Sequence, residues 1–343
     1  MASARLLSVL LGTASVGLLL CWAKSIVGEQ AGLLVGFAAA LHPEVIGLGV
    51  YLLSEAPFVP LMLLHLWGWS VALARPKGWG SLRMGLGAGI AGGLATLCRP
   101  SWLLFVPFSV ACGLLVFKER RWQAAVAGML LLGQVVVLLP WWVRNWQVAG
   151  RFVPTSLQVG ASLYDGLSPV ATGASDMRFV PEFRKEQRQA DAKEIAAGRV
   201  PQGIFEDRLD ERMKEASIAW AKGHPKEVAH LWWIKLQRMW APWPNANEFR
   251  SLKVSLVLAA GYIPLMLAVG LGICRAVRIG AWRSQPWILV GVLPAMYFTG
   301  LHTIFVSSLR YRQPALLPLM LIAVWGLCSL WEAKRQSTSE AMT

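Results

Sequence analysis

Two glutamates and a histidine stand where an ordinary membrane span would carry none. The stretch LHPEVIGLGVYLLSEAPF, residues 41–58, sets His42, Glu44 and Glu55 in or beside some of the most apolar sequence of the 343-residue chain. An ionised carboxylate at bilayer depth costs at least about 2.5–3.5 kcal/mol, so such side chains persist where they face protein, water or a ligand. A carboxylate held that way can accept a proton. The plain alternative is that Glu44 and Glu55 snorkel to a headgroup layer, and that His42 is a packed, hydrogen-bonded residue. Four arginines, Arg99, Arg144, Arg310 and Arg312, stand at the ends of apolar runs. A guanidinium stays charged and can grip two oxygens of an anion at once, and its plain alternative is again snorkelling at the interface.

The elements that must position these side chains are membrane spans. The chain is 55% hydrophobic and only 15% charged, well below the roughly 25% charged residues of a soluble domain. Its net charge of +14 lies in short clusters between apolar runs rather than along one face, which argues against nucleic acid as a partner. The five cysteines, Cys21, Cys98, Cys112, Cys274 and Cys328, fall within apolar runs without paired spacing and read as small packing residues. Many of the eighteen tryptophans flank those runs, as in an interfacial aromatic belt. Runs of the length that crosses a hydrocarbon core occur near residues 5–22, 31–50, 57–74, 84–98, 101–117, 123–140, 254–274, 286–305 and 314–331. The expected fold is an all-α polytopic membrane protein of about nine transmembrane helices. The fourth and fifth spans meet in a tight hairpin at Arg99-Pro100, and the glycines from Gly85 to Gly93 allow close helix packing.

Alternate loops are basic: Arg75, Lys77 and Arg83; Lys118, Arg120 and Arg121; Arg275, Arg278 and Arg283; Lys334 and Arg335. That places them in the cytoplasm and the Glu55, Arg99 and Arg310-Tyr311-Arg312 turns on the opposite face. The expected organisation is six spans over 1–140, an extracytoplasmic lobe over 141–253, three spans over 254–331 and a cytoplasmic tail over 332–343. The lobe region holds 13 of the 19 acidic residues. Apolar residues at helical spacing predict one lobe helix from Ile204 to Trp220 and a second after His224-Pro225. No Gly-rich phosphate loop, repeat or Ser-His-Asp arrangement is present in the sequence.

Several stretches together resemble the GT-C glycosyltransferases that use polyprenyl-phosphate sugars, the group that includes lipid A aminoarabinose transferase and protein O-mannosyltransferases. They are LLSVLLGTASVGLLLCWAKSIVGEQAGLLVGFAAALHPE, YLLSEAPFVPLMLLHLW, GLATLCRPSWLLFVPF, PWWVRNWQVAGRFVPTSLQVGASLYDGLSP, the helix-HP-helix at His224-Pro225, and SSLRYRQPALLPLMLIAVWG. The resemblance implies an inverting transfer of a sugar from a polyprenyl-phosphate donor to a lipid, glycan or protein acceptor outside the cytoplasm. By the same resemblance Glu55 occupies the acidic position that helps orient a divalent metal ion (Mg or Mn), the donor or the acceptor, and Glu44 is the second candidate carboxylate. Glu55 begins the short turn between the second and third spans, and Ala56-Pro57 after it favours ending the helix there. Arg99, Arg144, Arg310 and Arg312 are the side chains for the donor phosphate, and alanine at Arg310 or Arg312 is expected to weaken donor use more than folding. These enzymes open with one more span and an acidic loop, and nine spans ending in the cytoplasm equally ask for residue 1 outside; both suggest an amino-terminal span upstream. Two other readings stand beside this one: a transporter or flippase for an anionic lipid, and an inactive shortened relative.

Overall fold

The structure, a computed structural model, describes residues 2–49, 53–117, 119–246 and 249–340, and all regular structure among them is helical. Lys118, residue 50 at the end of the second expected span, and residues 51–52 that follow it lie outside the described residues. In chain order the helices are α1 (Ala2–Val27), α2 (Glu29–Leu41), α3 (Pro43–Gly49), α4 (Glu55–Ala74), α5 (Trp79–Cys98), α6 (Phe105–Val116) and α7 (Arg120–Ala149). Then come α8 (Val159–Gly166), α9 (Val180–Ala196), α10 (Phe205–Gly223) and α11 (Pro225–Trp240), followed by α12 (Leu252–Arg278), α13 (Ala281–Ser284), α14 (Pro286–Ile304) and α15 (Leu309–Glu340).

Six of these, α1, α4, α7, α12, α14 and α15, are long and apolar enough to cross a membrane. The chain is a multi-pass membrane protein. The other three expected spans differ for local reasons. Residues 31–50 are not one helix, because α2 stops before His42, which is extended at φ −68° and ψ 124° ahead of Pro43. α5 has 20 residues, but its glycines and Arg83 dilute its apolarity. After extended Arg99, residues 100–102 form a 3-10 turn, and α6 that follows has only 12 residues.

The chain divides into two compact units. The first comprises Met1–Leu138, Pro242–Tyr297 and Arg312–Thr343. Its helices approach closely through small residues: a Cβ on Gly89 would collide with the Leu130 carbonyl of α7, and one on Gly272 with the Ile322 carbonyl of α15. His65 of α4 makes a 2.7 Å hydrogen bond through Nδ1 to the Ala88 carbonyl of α5, so that nitrogen carries the proton. Around it Trp102 stacks on Phe105 at 3.8 Å, and the Tyr297 hydroxyl donates to the Ser101 carbonyl at 2.5 Å. The turn after α5 is thereby held from two sides.

The second unit comprises Leu139–Ala241 and Phe298–Tyr311. α8 and α10 pack through Ala161, Leu209 and Met213, covered by Tyr164, Phe179 and Phe183. The first turn of α8 is capped from outside its own segment, since the Gly160 N–H donates to Asp210 Oδ1 at 2.8 Å. Fully buried Lys235 of α11 donates to the Ile304 and Thr303 carbonyls at 2.6 and 3.3 Å. Those carbonyls end α14, and the lysine supplies what a helix C-terminus lacks.

Candidate functional site

Glu44 and Glu55 share a local grammar. Each stands in the first turn of a helix beside a proline, Glu44 after Pro43 in α3 and Glu55 two residues before Pro57 in α4. In a first turn the missing proline N–H leaves nothing unsatisfied, and the positive end of the helix dipole favours a carboxylate. Ala56-Pro57 therefore lies in the first turn of α4 rather than ending the helix before it.

Both carboxylates are buried, at 5% and 3% exposure, and each has an arginine. Arg99 Nη1 donates to Glu55 Oε1 at 3.0 Å, and the same guanidinium lies 5.4 Å from the Phe58 ring centre. Arg312 grips Glu44 with two nitrogens, Nη2 on Oε1 and Nε on Oε2 at 3.2 Å. Its guanidinium also lies 3.8 Å from the ring centre of Tyr262 in α12. Arg312 is in the first turn of α15, where the helix dipole disfavours a cation, and Glu44 offsets that. The first unit thus brings together four of the six expected site residues as two buried ion pairs.

This pairing bears on the expected effect of alanine at Arg312. Arg312 has no exposed surface, so its truncation leaves Glu44 as an unpaired buried charge, at about 3–5 kcal/mol; alanine there disturbs folding as well as any ligand. Beside Glu55, a cavity of about 40 Å³ is lined also by Ser15 and Gln313. Gln313 is buried, and among the described residues its Oε1 accepts no hydrogen bond.

Arg144 and Arg310 belong to the second unit. Arg310 lies 5.9 Å from the ring centre of its neighbour Tyr311. Exposed Arg144 donates to Asn145 Oδ1 at 3.0 Å and lies 5.1 Å from the Trp141 ring centre. His42 is buried where α12 approaches at Gly261. Among the described residues no three His, Cys, Asp or Glu side chains gather as a metal ion requires, and Glu44 and Glu55 are each engaged by an arginine. The described carboxylates are thus spent on arginines and offer no ready ligand set for the expected divalent ion.

Tyr262 and Gln313 were not singled out from the sequence. Their signal was available: a polar group within an otherwise apolar helix usually has a partner there.

With this geometry in view, residues 1–143 match the dolichyl-phosphate-mannose-protein mannosyltransferase family. The matched segment contains Glu44, Glu55 and Arg99. No curated protein and no solved structure matches the chain.

Proposed function

We propose that the chain is a membrane glycosyltransferase that moves a sugar from a polyprenyl-phosphate donor to a lipid, glycan or protein acceptor on the extracytoplasmic face. The observation that carries this reading is the buried Glu55–Arg99 pair within the segment that matches the mannosyltransferase family. In the reaction the bond from the anomeric carbon to the phosphate oxygen breaks, and the electron pair leaves with the lipid phosphate. A bond from the acceptor oxygen or nitrogen to that carbon forms, and the acceptor proton passes to a carboxylate, a role worth about 10²–10⁴-fold in rate.

A carboxylate gripped by an arginine is a poor base, and an arginine gripped by a carboxylate is a poor phosphate ligand. The pair resolves both difficulties if the donor phosphate takes the guanidinium of Arg99: Glu55 then loses the partner that kept it from accepting a proton. Glu44 and Arg312 form the second such pair in the same unit. Glu55→Gln tests this, because the amide keeps the size and hydrogen-bonds Arg99 yet cannot take the proton. Transfer turnover should fall at least about 100-fold with donor affinity nearly unchanged. Turnover equal to that of the parent would reduce Glu55 to a structural partner of Arg99.

A further inference from the structure

Helix α11 carries two apolar stripes where an ordinary surface helix carries one. The first, formed by Leu231, the stem of Lys235 and Met239, is buried within the second unit. The other is formed by Ala229, Trp232, Trp233 and Leu236, at the spacing of a single helix face. Leu236 is half-buried and the other three are exposed, Trp232 and Trp233 to 47% and 52%. The two indoles lie side by side with ring centres 6.5 Å apart. Exposed Lys226, His230 and Gln237 run along one edge of the stripe. Adjacent tryptophans on an apolar stripe mark a surface that is covered in use.

What α11 is fastened to says what covers it. Its partners belong to the same unit. Trp240 Nε1 donates to the Thr299 hydroxyl at 3.1 Å, Lys235 holds the Thr303 and Ile304 carbonyls, and Ser307, in the turn beyond, donates its hydroxyl to the Lys235 carbonyl at 2.6 Å. Thr299 stands about 7 Å short of the end of α14 along the helix axis, and α14 is one of the helices long and apolar enough to cross a membrane. The end of such a helix lies where hydrocarbon gives way to headgroups. With 16 residues, among them Lys226, Glu227, Lys235 and Arg238, α11 is not itself a span. It is a short amphipathic helix secured at the depth where indoles collect, ring toward the acyl chains and N–H toward the headgroups.

We infer that α11 lies in the headgroup layer of the bilayer, with Ala229, Trp232, Trp233 and Leu236 turned into lipid and Lys226 and His230 beside the phosphates. The partner is the phospholipid surface. Because Lys235 and Ser307 fasten α11 to the turn between α14 and α15, lipid that holds α11 also steadies that turn. Such a contact needs only the membrane character of the chain and stands apart from sugar transfer.

Depth is read by spin labelling of the full chain in phosphatidylcholine vesicles. The native cysteines are replaced by alanine, and one cysteine is introduced as Trp232→Cys, Trp233→Cys or, for reference on the charged helix α9, Glu194→Cys. Nitroxides at the two tryptophan positions should collide severalfold more often than the reference label with oxygen, which gathers in lipid, and severalfold less often with a water-soluble nickel chelate. Labels there as open to the chelate as the reference overturn the inference. Labels closed to both reagents, or coupled between copies as the protein-to-lipid ratio rises, mean that protein covers the stripe and overturn it equally. A second readout leaves the cysteines in place: lipids brominated close to the headgroup should quench a smaller share of the indole fluorescence in the Trp232→Phe, Trp233→Phe double variant than in the parent. An unchanged or larger share sets the two indoles away from the headgroups and overturns the inference. Trp232→Ser with Trp233→Ser should also quicken amide hydrogen exchange severalfold across residues 305–308, and an unchanged rate there would sever the turn from the lipid contact.

Discussion

A guanidinium and a carboxylate buried together each make the other tolerable, and removing one exposes what the other costs. Arg312→Ala should lower the stability of the detergent-solubilised chain by about 3–5 kcal/mol, and adding Glu44→Ala to that variant should restore part of it. Thermal unfolding of parent, single and double variants measures this; a single variant as stable as the parent would contradict the Glu44–Arg312 pair. The ionisable residues themselves were legible, because charges amid apolar sequence are few and each demands a reason. Their pairing was not. Arg99 lies 44 residues from Glu55 and Arg312 lies 268 from Glu44, and no local pattern links side chains so far apart.

At the scale of elements, helix contact is set by what the glycines leave out. Gly89→Leu drives a side chain into the backbone of α7, and Gly272→Leu into that of α15; each should reduce the yield of folded protein sharply, while leucine at Gly128, with open space beside it, should not. Size-exclusion profiles of the three variants decide this. Lys235 offers a test by pH. Burial brings its ammonium from 10.5 down to about 8, with the charge of Asp165 opposing. Between those values the unfolded chain binds a proton that the folded chain does not, so stability from this group rises as pH climbs through that interval. Lys235→Met should remove that rise from the pH profile of thermal unfolding. α10 and α11 were legible because their apolar residues recur at helical spacing. α9 was not, since charged residues surround it and its fixed place comes from partners on α10, as in the Arg208–Asp191 pair. The break at His42 was written in Pro43, but the apolar run across it obscured the signal.

For the whole molecule, composition states the membrane character and the basic loops predict an orientation, and both concern long stretches of chain. A reporter active only outside the cytoplasm should work when fused after Asp165 or Arg250 and fail after Arg121 or Arg335; the reverse pattern would overturn the orientation and the face assigned to the site. The second unit draws in Phe298–Tyr311 from far along the chain, an association that reading composition along contiguous segments does not reach. The central claim is that sugar is transferred and not merely carried. The purified chain in lipid vesicles, given a polyprenyl-phosphate sugar labelled in the sugar and a mixture of lipid, glycan and protein acceptors, tests it most directly. Label should move to an acceptor while an equal amount of polyprenyl phosphate appears, and Glu55→Gln should abolish both. Label that crosses the bilayer or stays bound while still joined to its lipid phosphate would contradict the account.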